Sequence, residues 1–408
     1  MALKVISNAE RKRQARAKLL VEQQRAQKAI EGSITSFRVE ELYWKNRTEE
    51  PDWNVAFYGE SDKIQWANHS LEDCQSGFWT GRSGSTWQVQ KWKLGNGKAA
   101  YCFPDNPGLI VLPGFLEVTQ QQNLIAAALH ETTGPASRTN LDSHYHPPSS
   151  GWWDHYVAQP SDIIHTKAAA TSASNASGTG SAERIQVDLK PMDKKAYLED
   201  QTAVKEEPLP SDTVQPSPVE ALIRKLRWTI IGLEYHWGTK SYKWDKPPMP
   251  MPTVFRETCQ QIASVLPWSR LPLAKDQQLN TSDWETYKPE AGVVNFYQHR
   301  DSLTAHVDQS EVDSVRPLIS ISLGESCVFL AGGKTRDVKP IPFLLESGDV
   351  IIMAGEGRRV FHGVPRIIEN RCRANFDWSQ WEDGKAIQEF LQGTRINVNV
   401  RQVFSEPV

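Results

Sequence analysis

The stretch LTAHVD, residues 303–308, gives the clearest indication of the protein's fold. Apolar and polar side chains alternate along it, which is typical of a β-strand with one buried face. On such a strand His306 and Asp308 lie on the same face, two residues apart, so both side chains can reach one point. The sequence therefore predicts a strand that presents two metal-ligating groups.

A third ligand must come from another strand, and His362 is the best-placed candidate. The run GDVIIM, residues 348–353, predicts a buried strand, residues 355–357 predict a turn, and residues 359–362 predict the return strand that ends at His362. Two histidines and one carboxylate form the facial ligand set of mononuclear non-haem iron(II), which leaves three positions for a cosubstrate and dioxygen. Because H-x-D is a common triplet, ordinary strand residues remain the alternative. The segment DSHYH, residues 142–146, is a weaker metal candidate and is more typical of a polar loop.

A second polar strand face occurs in RINVNVR, residues 395–401. Its isoleucine and valines form one face, while Arg395, Asn397, Asn399 and Arg401 form the other. Arginine binds carboxylates bidentately, so this face suits a dicarboxylate. The segment spans roughly 20 Å, so we expect the two arginines to contact different groups. An edge strand with solvated arginines is the alternative interpretation.

Composition places the chain among intracellular soluble proteins. Of its 408 residues, 39% are hydrophobic and 23% are charged, and the net charge of −3 indicates no general attraction to polyanions. The five cysteines are scattered and form no C-x-x-C pair, which favours a reducing compartment. No apolar run approaches the ~20 residues that span a bilayer, so we expect no membrane association.

Local signals predict several elements outside the two strands. Thr119 and Gln122 predict a capping box for a helix, and Ser217 predicts the cap of a second helix that begins with Pro218. Residues 228–237 predict a strand, and residues 255–266 predict an amphipathic helix that ends at a proline. Short β-rich runs from residue 291 onward predict a sandwich or an open barrel.

Four motifs together resemble one known family. Asn295-x-Tyr297, His306-x-Asp308, the distal His362 and the RINVNVR segment are similar to the AlkB family of iron(II)- and 2-oxoglutarate-dependent dioxygenases. The runs HVDQSE (306–311), GDVIIMAG (348–355) and HGVPR (362–366) resemble its eukaryotic branch, AlkB homologue 1. The similarity is strong over about residues 219–403.

The resemblance implies an α+β fold with a double-stranded β-helix, or jelly-roll, core flanked by helices, a nucleotide-recognition lid and an N-terminal accessory region. The predicted organisation is a basic N-terminal helix (1–35), a Trp-rich accessory region (36–107), the start of the dioxygenase domain (108–165), a disordered insertion (166–216), helices and the substrate lid (217–290), and the catalytic core (291–408). The basic helix has two other interpretations, an organelle-targeting peptide and a nucleic-acid-contacting arm.

The resemblance also assigns roles to individual residues. His306, Asp308 and His362 would bind iron and carry catalysis. The expected 2-oxoglutarate-binding residues are Asn295, Phe296, Tyr297, Arg395, Asn397 and Arg401. The expected substrate-binding residues are Trp228, Tyr235, Trp237, Tyr242, Ser310 and Arg336. Asn399 stands where the family motif usually has threonine, and Ser310 stands where the bacterial enzyme has an acidic residue that recognises the base.

The implied activity is oxidative demethylation of N-methylated bases in nucleic acid, with iron(II), 2-oxoglutarate and dioxygen as cofactor and cosubstrates. Implied substrates include methylated tRNA bases, such as 1-methyladenine, and N6-methyladenine in DNA. Hydroxylation of a protein or small molecule is one alternative, and a nucleic-acid-binding scaffold without turnover is another. The sequence does not rank DNA against tRNA or indicate an oligomeric state.

Overall fold

The computed structural model describes residues 34–59, 63–71, 73–167, 213–236, 241–243, 247–275, 279–308, 311 and 313–404. Most of the predicted basic helix and of the predicted insertion lie outside the described residues, as do Trp237 and Ser310. Within the described part, no helix has both the length and the apolar character needed to cross a bilayer.

Eleven strands form one large antiparallel sheet. In order across the sheet they are β1 (Ile64–Leu71), β2 (Cys74–Thr80), β3 (Thr86–Lys93), β4 (Ala99–Cys102), β5 (Leu109–Leu112), β17 (Val350–Met353), β14 (Leu318–Gly324), β19 (Thr394–Arg401), β12 (Ala291–Gln298), β9 (Trp228–Gly232) and β6 (Arg138–Thr139). Its central strands have fully buried apolar side chains on both faces, which predicts that the sheet is covered on both sides.

Four strands form a smaller antiparallel sheet. In order they are β13 (Leu303–His306), β18 (His362–Ile367), β15 (Cys327–Ala331) and β16 (Ile341–Leu345). Two further antiparallel pairs join β10 (Tyr235–His236) to β11 (Ser241–Tyr242) and β7 (Ile163–Ile164) to β8 (Ser217–Pro218). Side chains from the large and small sheets share one apolar cluster, so the two sheets pack face to face.

Helices cover the outer faces of this sandwich. They are α1 (Ser36–Lys45), α2 (Val118–His130), α3 (Trp152–Ala158), α4 (Val219–Ile223), α5 (Thr253–Ser264) and α6 (Gly384–Leu391). Helices α2 to α6 pack on the outer face of the large sheet, and α1 packs on the outer face of the small sheet. The large antiparallel sheet with its flanking helices is consistent with the predicted jelly-roll core.

The Trp-rich segment continues the large sheet. Strands β1 to β4 are consecutive antiparallel neighbours, and β4 pairs with β5 through Tyr101 opposite Val111 and Cys102 opposite Ile110. The boundary predicted between residues 107 and 108 therefore falls inside one continuous sheet. Period-2 alternation is weak in this segment because tryptophan side chains fill both faces, with Trp79 in one core and Trp92 in the other.

Several local predictions were wrong in their bounds. Helix α2 is capped by Glu117, whose main-chain N–H binds Gln120 Oε1 at 3.0 Å, rather than by Thr119 and Gln122. Ser217 lies in β8 and does not cap α4, because the first N–H groups of α4 are taken by the main-chain oxygens of Asp162 and Pro160.

Two predicted strands end early and one begins late. The strand predicted over residues 228–237 stops at Gly232, which has φ +68° and lies so close to Glu290 O that a Cβ there would approach it to 2.2 Å. Strand β13 stops at His306, so Asp308 follows the strand rather than lying within it. The return strand begins at His362 instead of ending there, because a 3-10 helix, Gly355–Arg359, occupies the preceding residues. The helix predicted over residues 255–266 is confirmed as α5.

Candidate metal and cosubstrate site

The two histidines of the predicted triad face each other across the small sheet. His306, at the end of β13, is paired in register with His362, at the start of β18, and their ring centroids lie 4.3 Å apart. Asp308 completes a cluster whose ligand atoms all lie within 4.8 Å of one another. Among the residues that the structure describes, this is the one such cluster, and the DSHYH segment forms none.

Main-chain contacts orient both imidazoles. The Nδ1 atom of His306 lies 2.9 Å from Thr304 O, and that of His362 lies 3.2 Å from Val360 O. A ring whose Nδ1–H binds a carbonyl presents its Nε2 lone pair for ligation. Phe329 stacks on His362 with ring centroids 5.8 Å apart, which restricts rotation of that imidazole.

Electrostatics favour the protonation states that a metal requires. Burial, together with the nearby His306, lowers the pKa of His362 to about 4, so its imidazole is neutral near pH 7. Burial alone would raise the pKa of Asp308, but Arg401 and the two histidines outweigh it and hold that pKa well below its usual range. Two histidines and one carboxylate fit iron(II).

Arg395 lines a cavity together with His306, Asp308 and His362, and its guanidinium has unmet hydrogen-bonding capacity. Its guanidinium is 1% exposed and donates to Ser322 Oγ at 2.9 Å. Its Nε and Nη1 are buried without a hydrogen-bond partner in the structure. A buried guanidinium with free donors is costly unless an anion binds it. The position therefore fits one carboxylate of an anionic cosubstrate.

The register of the large sheet sets the remaining cosubstrate candidates. On β12, Asn295 lies opposite Asn397 and Tyr297 lies opposite Arg395, whose guanidinium is 5.3 Å from the tyrosine ring centroid. Burial raises the pKa of Tyr297 to about 12, so its hydroxyl stays a donor. These four side chains line the cavity. Phe296 lies on the opposite face of β12, in the core beneath the helices, and does not line it.

Arg401 belongs to a buried ion-pair network that the sequence analysis missed. Its Nη1 lies 2.7 Å from Glu311 Oε1 and 3.7 Å from Asp308 Oδ2. The other oxygen of Glu311 binds Arg358 Nη2 at 2.8 Å, and both side chains of that pair are 1% exposed. The signal was present in HVDQSE, where a second acid follows Asp308 by three residues. Arg401 therefore neutralises two carboxylates beside the histidines.

The four predicted substrate residues that the structure describes occupy four different environments. Tyr235 lines the cavity. Tyr242 is buried behind it and donates to Glu311 Oε1 at 3.1 Å, with its ring 5.3 Å from that of Tyr235. Trp228 is half-buried on β9, opposite Asn295, and does not line the cavity. Arg336 donates to the main-chain oxygen of Ala305 in β13, the residue before His306.

The cavity has a volume of about 390 Å³ and is lined by both polar and apolar side chains. Its lining includes residues that the sequence analysis did not single out, namely Val293, Glu311, Ser320, Phe329, Met353 and Val364. Ser320 could have been found, because Ser320 and Ser322 alternate within the otherwise apolar run of β14. The other residues are ordinary strand positions that only the packing of the two sheets brings to the site.

Comparison with known proteins agrees with this geometry. Residues 192–401 match the family described as 2OG-Fe(II) oxygenase superfamily, and the chain belongs to that family. Its members use iron(II), 2-oxoglutarate and dioxygen. The chain is thus a dioxygenase.

Three curated relatives are similar to the chain. DNA N(6)-methyladenine demethylase ALKBH1A of Arabidopsis thaliana is 29% identical, over 74% of this chain and 77% of that protein. tRNA demethylase abh1 of Schizosaccharomyces pombe is 29% identical, over 74% of this chain and 81% of that protein. Nucleic acid dioxygenase ALKBH1 of Homo sapiens is 31% identical, over 45% of this chain and 48% of that protein.

Proposed function

We propose that this protein is a nucleic acid demethylase that removes methyl groups from base nitrogens in DNA or tRNA. One observation carries the chemical part of the proposal. A three-ligand cluster and a buried arginine with two unpartnered donors face the same cavity of about 390 Å³. The names of the relatives, which specify demethylation of DNA and tRNA, support the substrate class.

His306, Asp308 and His362 would hold the iron. Arg395 would bind the distal carboxylate of 2-oxoglutarate, because its Nε and Nη1 are buried donors without a partner and a carboxylate would accept from them. Asn295, Tyr297 and Asn397 line the same cavity and would orient the cosubstrate. Arg401 keeps Asp308 ionised, as its 3.7 Å approach and the lowered pKa of Asp308 indicate.

Iron and 2-oxoglutarate supply the oxidation when bound: one oxygen atom of dioxygen enters a substrate C–H bond, and the other leaves in succinate as 2-oxoglutarate loses carbon dioxide. The N-methyl group becomes N-hydroxymethyl. Its N–C bond then breaks, the hydroxyl proton passes to the base nitrogen, and formaldehyde leaves. The apolar lining residues Phe329, Met353 and Val364 would exclude water from the reacting methyl group.

The test is formaldehyde and succinate release from methylated nucleic acid. Anaerobically purified protein is loaded with iron(II), mixed with 2-oxoglutarate and oxygen, and given single-stranded DNA and tRNA that carry 1-methyladenine or N6-methyladenine. The same sequences without the methyl group are the substrate controls. We expect formaldehyde and succinate in equal amounts from at least one methylated substrate.

Variants test whether formaldehyde release depends on the proposed metal ligands. His306→Ala and Asp308→Ala should reduce formaldehyde release to background. His155→Ala is the matched control, since that histidine pairs with Asp162 at the surface and lies outside the cavity. The proposal is overturned if no methylated DNA or tRNA raises succinate formation above the unmethylated control, and a protein or small-molecule substrate that does so would replace it.

A further inference from the structure

The metal-bearing strand β13 has a free edge. It is the terminal strand of the small sheet, and within the described residues its one strand partner is β18. At that edge the main chain of Ala305, the residue before His306, needs hydrogen-bond partners from elsewhere, because Ala305 is buried. A loose main chain here would displace the imidazole of His306 directly.

Two side chains from distant parts of the sequence satisfy both polar groups of Ala305. Glu41 on α1 accepts a hydrogen bond from Ala305 N at 2.9 Å, although the two residues are 264 positions apart in the sequence. Arg336 donates from Nη2 to Ala305 O at 2.9 Å. Together they replace the missing neighbouring strand.

Each of these side chains is itself held in place. Glu41 is 3% exposed, and its second carboxylate oxygen binds Arg38 Nη1 at 2.8 Å. The main-chain oxygen of Arg336 accepts from Phe37 N at 2.9 Å, and its guanidinium lies 5.0 Å from the ring centroid of Phe361. Helix α1 is therefore joined to the strand edge at both Glu41 and Phe37.

The neighbouring acid on the same helix has a different role. Glu40 is equally buried but pairs with Arg82 at 2.7 Å and Lys339 at 3.7 Å, and the structure gives it no bond to β13. Glu40 shows that a carboxylate can be buried on α1 without contacting β13. Burial alone therefore does not explain the contact between Glu41 and Ala305.

We propose that Glu41 and Arg336 are positioning residues for the metal site, which fix the main chain of Ala305 and so place His306 for ligation. The inference rests on the proposed function, because it assumes that His306 binds metal. It assigns the first helix of the accessory region to the catalytic unit, and it gives Arg336 a role in holding the site rather than in contacting substrate.

The test measures metal affinity directly, with Co(II) as the probe and the visible absorption of the bound ion as the signal. Full-length variants are titrated at a temperature where circular dichroism shows each to be folded. Loss of a group that orients a metal ligand typically weakens metal affinity 10–100-fold, so we expect Glu41→Ala to raise the Kd by about tenfold or more. Glu41→Gln keeps an acceptor oxygen and should restore most of the affinity.

Glu40→Ala is the matched control. It removes a buried ion pair from the same helix and should lower stability without changing the Kd for Co(II). The inference is overturned if Glu41→Ala binds Co(II) as tightly as the wild type, or if Glu40→Ala weakens binding equally.

Arg336 is tested in the same way. Arg336→Ala should raise the Kd for Co(II) and leave the KM for nucleic acid unchanged, and the opposite pattern would show a substrate contact and remove Arg336 from the inference. If the wild type binds neither Co(II) nor iron, the proposed function itself fails. If it binds metal and demethylates while Glu41→Ala is indistinguishable from it, only the positioning role fails.

Discussion

Tyr242 donates a hydrogen bond from its hydroxyl to Glu311 Oε1 at 3.1 Å, and the same oxygen binds Arg401 Nη1 at 2.7 Å. Burial raises the pKa of Tyr242 well above its ordinary value, so its hydroxyl remains a donor. Tyr242 belongs to the β10–β11 hairpin, whose Tyr235 lines the cavity. The Glu311 carboxylate thus links the hairpin to the charged groups beside the proposed metal site.

Loss of that carboxylate should destabilise the protein severely. Glu311→Ala leaves Arg358 buried without its partner, and breaking a buried pair on one side costs about 3–5 kcal/mol of unfolding free energy. Tyr242→Phe removes one hydrogen bond and should cost about 1 kcal/mol. Urea titration measures both values. Glu389→Ala, at an exposed pair with Lys385, is the control and should change stability by at most about 0.5 kcal/mol. Equal losses for Glu311→Ala and Glu389→Ala would contradict the network.

Replacement of Arg395 should weaken cosubstrate binding and at the same time raise the stability of the protein. Arg395→Met would remove the proposed charged hydrogen bonds to the cosubstrate, worth about 3 kcal/mol, so the KM for 2-oxoglutarate should rise roughly 100-fold. The ligand-free protein should become more stable, because a buried guanidinium with two unpartnered donors is replaced by an apolar side chain.

Steady-state kinetics and urea titration measure these opposite changes. Ser322→Ala is the control, because it removes the hydroxyl that Arg395 binds and leaves the free donors in place. Its effect on KM should be much smaller. An unchanged KM in Arg395→Met would exclude Arg395 from cosubstrate binding.

Tyr235 and Tyr242 should differ in their effect on the nucleic acid substrate. Stacking of a base on an aromatic side chain is worth about 1–3 kcal/mol, so Tyr235→Ala should raise the KM for a methylated oligonucleotide by roughly 5- to 100-fold. The KM for 2-oxoglutarate should stay the same. Tyr242→Phe keeps the ring that packs against Tyr235 and should leave both KM values unchanged. A rise in KM for the oligonucleotide in Tyr242→Phe alone would reverse this assignment.

Asp349 should make stability depend on pH. Burial raises the pKa of Asp349 from 3.8 to about 7, even though the main-chain N–H groups of Gly114 and Glu346 each bind it at 2.7 Å. Between these two pKa values the folded protein binds the proton more strongly than the unfolded chain does. The stabilisation that Asp349 contributes is complete below about pH 4 and is lost as the pH rises towards 7. The free energy of unfolding falls by no more than about 1.4 kcal/mol per pH unit.

Urea titrations across this pH range measure the effect as a difference between variants. Asp349→Asn should flatten the decline relative to the wild type. Asp377→Asn, at an exposed side chain whose pKa is lowered, should leave the decline in this range as it is. A wild type and an Asp349→Asn variant with parallel pH profiles would rule out the raised pKa.

The candidate site was predictable where it depends on local alternation. Ile396, Val398 and Val400 pack into the core beneath the helices, and the polar residues between them face the cavity, as the period of two predicts. The same period shows why Phe296 was a poor candidate, because its neighbours Asn295 and Tyr297 take the cavity face. The order of strands across the large sheet could not be predicted from local sequence patterns, because strands such as β17 and β5 pair across 237 intervening residues.

The sequence by itself indicated the chemistry: His306 and Asp308 are two residues apart, the polar arginine-bearing strand follows from local alternation, and His362 was found through a predicted buried strand and the family resemblance. Only the tertiary structure decided which distant groups support that chemistry. Glu41 reaches Ala305 and Glu311 joins Tyr242 to Arg401 because packing of two sheets and a helix brings buried polar groups together. Each buried polar group needs a hydrogen-bond partner, and that partner is set by proximity in the folded structure rather than by proximity in the sequence.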